Sequence, residues 1–145
     1  MDFLQSMDIS SSGMTAQRSR LNVISMNLAN ANTTRTDDGT TYRRKTVIFK
    51  TEPLDNSFES QLQGSMDKKI YGVKATDVVS VSGDLKKTYD PTHPDADKDG
   101  YVSYPNVNLV EEMVSMLNAN RSYEANASAI KASKDMALKA LDIGR

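Results

Sequence analysis

Cysteine and tryptophan are absent from this chain of 145 residues, histidine occurs once, at His93, and proline only four times. Without cysteine there is no disulfide framework, zinc–thiolate site or cysteine nucleophile, and thiol usage says nothing about the compartment. A single histidine makes any Ser–His–Asp triad depend on His93, and nothing marks any of the many serines as activated. The glycines are scattered singly, so neither common form of glycine-rich phosphate loop is present. No uninterrupted apolar run approaches the roughly 18 residues that a membrane-spanning helix needs. The first residues carry Asp2 and Asp8 but no basic start, apolar run or small-residue cleavage site, which is unlike a Sec-type leader. Charge of one sign is lacking too: 18 basic residues against 19 acidic ones give a net charge of −1, too little for the positive field that non-specific nucleic-acid binding relies on. Nucleic acid is therefore not expected as a partner, and neither an enzymatic site nor a cofactor site is legible.

What the chain does have is two similar ends and a different middle. From Phe3 to Asn32, apolar residues recur every seven positions, at Met7, Met14, Leu21 and Leu28, with Leu4, Val23, Ile24 and Ala31 flanking the same stripe, as an amphipathic helix places them. Gly13 and the serines at 10, 11 and 12 weaken its first turns, with glycine costing about 1 kcal/mol against alanine, so a partner helix is expected to hold them. At the other end, Asn108 follows Pro105 as a helix cap, with Glu111 placed to reach back to it and Glu112 adding negative charge where the helix dipole favours it. Leu109, Met113, Met116, Tyr123, Ala127, Ile130, Ala137 and Leu141 then keep a three-and-four spacing over more than four heptads, the pattern of a coiled-coil seam. Asn120 and Lys134 interrupt it. Gly144 supplies a stop, which makes a helix about 50 Å long at 1.5 Å per residue.

Between these ends, Thr41–Lys50 alternates through Tyr42, Val47 and Phe49, Tyr71–Val81 is β-branched, and Gly39, Gly64, Gly72 and Gly83 punctuate. Asp37-Asp38-Gly39 and Ser82-Gly83-Asp84 read as turns, and Ser57–Lys69 as a polar loop. The expected fold is mainly α with a β-rich insert: a terminal helical domain of residues 1–35 with 105–145, its helices pairing as a coiled-coil-like layer, and a small β domain over 36–104.

One acidic segment invites a metal reading. Asp95, Asp97 and Asp99 followed by Gly100 match the first half of an EF-hand loop, which would suit a calcium-responsive adaptor. The match then fails, because position 12 is Asn106 rather than glutamate, Pro91 and Pro94 occupy the entering helix, and Pro105 falls inside the loop. An acidic turn leading into the last helix is the better account, and no metal site is expected. Arg43, Arg44 and Lys45 could face an acidic partner, though three charges beside a strand more often form a solvated edge.

Three segments carry a family resemblance. Ser12-Gly13-Met14-Thr15-Ala16, Arg20-Leu21-Asn22-Val23-Ile24-Ser25 and Asn27-Leu28-Ala29-Asn30-Ala31-Asn32-Thr33-Thr34-Arg35 resemble the N-terminal signature of bacterial flagellar rod and hook axial proteins. Tyr89-Asp90-Pro91, His93–Asp97, Gly100-Tyr101-Val102 and Pro105–Asn108 are similar to the FlgC branch in particular, as are Glu111–Val114, Arg121–Asn126 and Lys131–Met136. The resemblance implies a non-enzymatic structural subunit of the proximal rod of the basal body, helping to transmit torque and line the export channel. It also implies self-association, contacts with the rod proteins FlgB, FlgF and FlgG and the rod-base adaptor FliE, and passage through the flagellar export apparatus without a cleaved signal peptide. The alternative of a type III-secreted effector or interaction protein would instead be missing from purified flagellar structures. The assembly residues expected from the stripes are Met7, Met14, Leu21, Ile24 and Leu28 against Leu109, Met113, Met116, Tyr123, Ile130 and Leu141. Asn27, with Asn22, Asn30, Asn32 and Asn126, is expected to fix register by hydrogen bonds between subunits.

Overall fold

A computed structural model describes residues 3–54 and 71–143. Two long helices, α1 (Phe3–Ala29) and α2 (Leu109–Ile143), flank four strands: β1 (Lys45–Pro53), β2 (Tyr71–Ser80), β3 (Lys86–Tyr89) and β4 (Tyr101–Tyr104). The mainly helical fold with a β-rich insert is as the sequence predicts. The expected loop over Ser57–Lys69 lies outside the described residues, as does the Gly144 stop.

Helix α1 accommodates its serines and threonines by turning their hydroxyls back onto the helix. Ser10 donates to the carbonyl of Ser6 at 3.0 Å, Ser12 to Ile9 at 2.7 Å, Thr15 to Ser11 at 3.1 Å and Ser19 to Thr15 at 3.2 Å. These bonds satisfy polar side chains that would otherwise compete for the backbone elsewhere. The helix ends three residues before the predicted Asn32. Asn30 closes it, its Nδ2 donating to the Met26 carbonyl at 2.9 Å, and a tight turn follows in which Ala31 N–H donates to Leu28. Helix α2 starts where the sequence places it: Asn108 Oδ1 accepts from Val110 N–H at 3.1 Å, and Glu111 and Glu112 fill the first turn. Its 35 residues make it about 52 Å long.

Strand β1 begins at Lys45 rather than Thr41. The chain before it is bent by a turn in which Gly39, at φ 74°, donates to Thr36 while Thr36 and Thr40 pair, and Tyr42 then points inward, buried, instead of alternating along a strand. β1 pairs with β2. The partners Arg44–Val81, Ile48–Thr76 and Glu52–Lys74 run in opposite directions along the two strands, so the pair is antiparallel. β3 and β4 form a second antiparallel pair, from Lys86 opposite Tyr104 to Tyr89 opposite Tyr101. The Tyr89 and Tyr101 rings meet edge to face at 5.4 Å. Gly100, at φ 77°, turns the chain into β4 at a place where a Cβ would come within 2.9 Å of the Tyr89 ring.

The described residues form two compact units. One takes the chain up to Ser19, Ile48–Asp77 and the chain from Ala119; the other takes Arg20–Val47 and Val78–Asn118. The core of the first includes Ala16 and Ala119, and that of the second Val23, Ile24, Ala31, Tyr42 and Val102. Among the described residues, no helix is long and apolar enough to cross a membrane.

Candidate assembly interface

In the second unit the end of α1, the start of β1 and the first turn of α2 meet around a buried asparagine. Asn27, 1% exposed, uses its whole amide. Its Oδ1 accepts from Tyr42 Oη and from Lys45 N–H, both at 2.9 Å, and its Nδ2 donates to the Lys45 carbonyl at 2.8 Å and to Glu112 Oε2 at 3.1 Å. Toward Lys45 it thus behaves as one more residue of a strand, occupying the N–H and carbonyl that the bent chain leaves without a neighbour. Glu112 is equally buried, and its other oxygen accepts from Arg44 Nε at 2.6 Å. Arg44 is itself held by its backbone: its N–H donates to Asn106 Oδ1 and its carbonyl accepts from Val81, whose own carbonyl accepts from Asn106 Nδ2 at 3.4 Å. A buried carboxylate is tolerated only where it is paired and hydrogen-bonded, and both oxygens here are engaged. Burial, and secondarily the Glu112 charge, push the Tyr42 phenol above its ordinary value of 10.0.

In the first unit small and polar residues of α1 and α2 meet. Ser6 Oγ lies 3.4 Å from Ser133 Oγ. Gly13 lets Asn126 approach so closely that a Cβ there would stand 2.8 Å from its Nδ2. Ser6 and Gly13 are seven residues apart, as are Asn126 and Ser133, so the pairing is antiparallel with a heptad step. Ala119 and Ser133 are buried on the same face of α2. The hairpin of β1 and β2 also rests on α1 in this unit. Val73 N–H donates to Ser12 Oγ at 3.2 Å, and a Cβ on Gly72 would meet Ser12 Oγ at 2.9 Å and Leu54 Cδ2 at 2.6 Å.

The residues predicted from the stripes divide three ways. Ile24 and Asn27 are buried; Met7, Met14, Leu21, Leu28, Met116 and Ile130 are half-buried; Leu109, Met113, Tyr123 and Leu141 are exposed. On α2 the inward face passes through Glu112, Ala119, Asn126 and Ser133, at intervals of seven. That signal was present in the sequence but lay under polar and small residue types. Leu109, Val110, Met113, Val114 and Leu117 instead form a stripe on the opposite side of the first turns, each between 49% and 68% exposed. Farther along, Leu138 and Leu141 are likewise uncovered. A contiguous run of exposed large apolar side chains on one helix face marks a surface made to meet another protein.

The acidic segment is occupied from within. Asp95 Oδ2 accepts from Thr34 Oγ1 at 2.7 Å, with Arg35 4.0 Å from its other oxygen, and its N–H donates to His93 Nδ1. Asp97 accepts from Lys98 N–H and closes a turn with Gly100. Among the described residues no group of three or more His, Asp or Glu side chains converges as metal ligands. The calcium-adaptor alternative has no support in this arrangement. Thr92 holds the Asp90 carboxyl below its usual range through side-chain and backbone hydrogen bonds, so this loop is a hydrogen-bonded lead into β4.

Two family models match the two ends: residues 7–35 match "Flagella basal body rod protein", and residues 98–143 match "Flagellar basal body rod FlgEFG protein C-terminal". Full-length relatives agree. The chain is 44% identical to the flagellar basal-body rod protein FlgC of Borreliella burgdorferi, with 99% of this chain and 98% of the relative covered. It is 42% identical to that of Bacillus subtilis over the whole of both chains, and 39% identical to that of Salmonella typhimurium, again over both entire chains. With paired end helices, a β-rich insert between them and this similarity along its whole length, the chain belongs to the FlgC family of flagellar basal-body rod proteins.

Proposed function

We propose that the chain is a structural subunit of the proximal rod of the flagellar basal body, joined to its neighbours through the outward faces of its end helices. The observation that carries this is the uncovered stripe Leu109, Val110, Met113, Val114 and Leu117, on the first turns of the helix that matches the rod C-terminal family model. Leu141 at the far end of α2 and Leu4 on α1, 70% and 64% exposed, extend the uncovered apolar surface. Each large side chain buried in assembly contributes roughly 1.5 to 3 kcal/mol, so a handful suffices to hold a subunit in a polymer.

The exposed members of the predicted set, Leu109, Met113, Tyr123 and Leu141, are assigned to contacts with neighbouring subunits. Met7, Met14, Leu21, Leu28, Met116 and Ile130 flank them, and Ile24 and Asn27 act from within the subunit. For assembly, the division that matters is the helical part, 1–35 with 105–145, against the middle, 36–104. The partners are further copies of the chain, the rod proteins FlgB, FlgF and FlgG, and FliE. Delivery is through the flagellar export apparatus without a cleaved signal, and the role is mechanical rather than enzymatic: transmitting torque and lining the export channel.

Met113→Asp, produced in a strain lacking the chromosomal copy, tests this reading. The expected result is normal cellular levels of the chain, loss of swimming and absence of the variant from purified basal bodies. Full motility with the variant built into intact rods would overturn it.

A further inference from the structure

The seam between α1 and α2 does not by itself define one alignment. In it Ser6 meets Ser133 and Gly13 meets Asn126, and a slip of one heptad again sets small or polar residues opposite one another: Ser6 against Asn126 and Gly13 against Ala119, or Ser6 against Ala140 and Gly13 against Ser133. The close approach of Asn126 to Gly13 favours the observed alignment, but it is a single contact, and the apolar stripes share the same seven-residue period. A stronger discriminator lies at the other end of the helix pair.

We infer that Glu112 selects the register, received by a carboxylate socket that Asn27 and Arg44 build at the end of α1. The socket is assembled without α2. Asn27 grips the backbone of Lys45 on both its N–H and its carbonyl, and Tyr42 hydrogen-bonds the same amide oxygen, so the amide's remaining N–H is aimed outward. Arg44, next to the gripped residue, is fixed through its carbonyl to Val81 and turns Nε to the same point. Two donors thus converge on one place, and only a carboxylate on the facing helix satisfies both. Glu112 does so with its two oxygens, at 3.1 Å and 2.6 Å, while its neighbour Glu111 stays exposed. In an alignment slipped by one heptad Ala119 or Pro105 would stand near Asn27 and leave its N–H without an acceptor. A single buried polar contact of this kind fixes register in paired helices that are otherwise degenerate. This inference concerns the pairing within one chain and stands apart from where the chain is deployed.

The absence of cysteine makes the test direct. Ser6→Cys is combined with Ser133→Cys to report the observed register, and with Asn126→Cys or Ala140→Cys to report slips of one heptad, each about 10 Å along the axis. The full chain is oxidised and the intramolecular disulfide is read from its mobility on a denaturing gel. The ratio of products reports register even when the helix ends open transiently. With Glu112 in place, the Ser133→Cys pair is expected to exceed either slipped pair at least tenfold. Glu112→Leu is expected to cut that preference tenfold or more, and Glu112→Gln, which keeps the shape and guards against a failure of the leucine variant to fold, to cut it severalfold. An unchanged preference in both variants would overturn the inference, as would slipped pairs forming as readily as the native one in the parent.

Discussion

Asn27→Ala is the substitution for which the structure gives the largest consequence per atom removed. The side chain makes four hydrogen bonds of 2.8 to 3.1 Å, one of them to the Glu112 carboxylate. Alanine leaves the Lys45 N–H and carbonyl, the Tyr42 hydroxyl and a carboxylate oxygen without this partner in a site where Asn27 and Glu112 are each 1% exposed. Neutral hydrogen bonds contribute about 1 kcal/mol net and those to charged groups about 1.5 to 3, while a stranded buried group costs about 1 to 3 kcal/mol. Water entering the space left by the amide recovers part of this, so the expected loss is about 3 to 5 kcal/mol. Against a total stability of about 5 to 15 kcal/mol this is a large fraction. Urea unfolding followed by far-ultraviolet circular dichroism measures it. Asn30→Ala, which removes one amide bond at the helix end and one to Thr33, is the control and should lose about 1 kcal/mol or less. An Asn27→Ala midpoint within about 1 kcal/mol of the parent would refute the account of this site as a satisfied buried network.

Three further outcomes follow from close contacts and titration. Gly72→Val should destabilise by about 1 to 3 kcal/mol in the same urea assay, because the new Cβ falls 2.6 Å from Leu54 Cδ2 and 2.9 Å from Ser12 Oγ. Gly13→Ala sets a helix-propensity gain of about 1 kcal/mol against a 2.8 Å approach to Asn126 Nδ2. The single change should therefore be near neutral, and become stabilising by about 1 kcal/mol in an Asn126→Ala background. Tyr42 has a folded-state pKa raised above 10.0, so the stability it contributes is complete below about pH 10 and lost as pH rises through the folded value. Absorbance titration near 295 nm should show one tyrosine ionising late, and that step should vanish in Tyr42→Phe.

The large elements were legible because they depend on local signals. The Asn108 cap and the acids after it fix the start of α2, and glycine at Gly39 and Gly100 fixes two turns whose φ values are positive. The apolar spacing also announced two helices that want partners. It did not announce which face looks inward. Hydrophobicity alone points Met113 and Leu109 toward the core, yet both are about half exposed while Glu112 beside them is buried. The inversion is possible because the inward face is stabilised by hydrogen bonds and close approach rather than by bulk, and such contacts depend on residues far apart in sequence. Arg44 and Asn106 are 62 residues apart and Asn27 and Glu112 are 85 apart, so no window along the chain contains the network. The late start of β1 has the same origin: Tyr42 is taken out of the strand by a hydrogen bond to Asn27.

The central claim is that this chain is built into the flagellar rod. Mass spectrometry of hook and basal-body complexes purified from the source cell tests it most directly. The account predicts peptides of this chain in the complexes, in fixed proportion to the other rod proteins and retained after washing in high salt. Intact complexes that lack the chain, from cells that make it, would contradict the account.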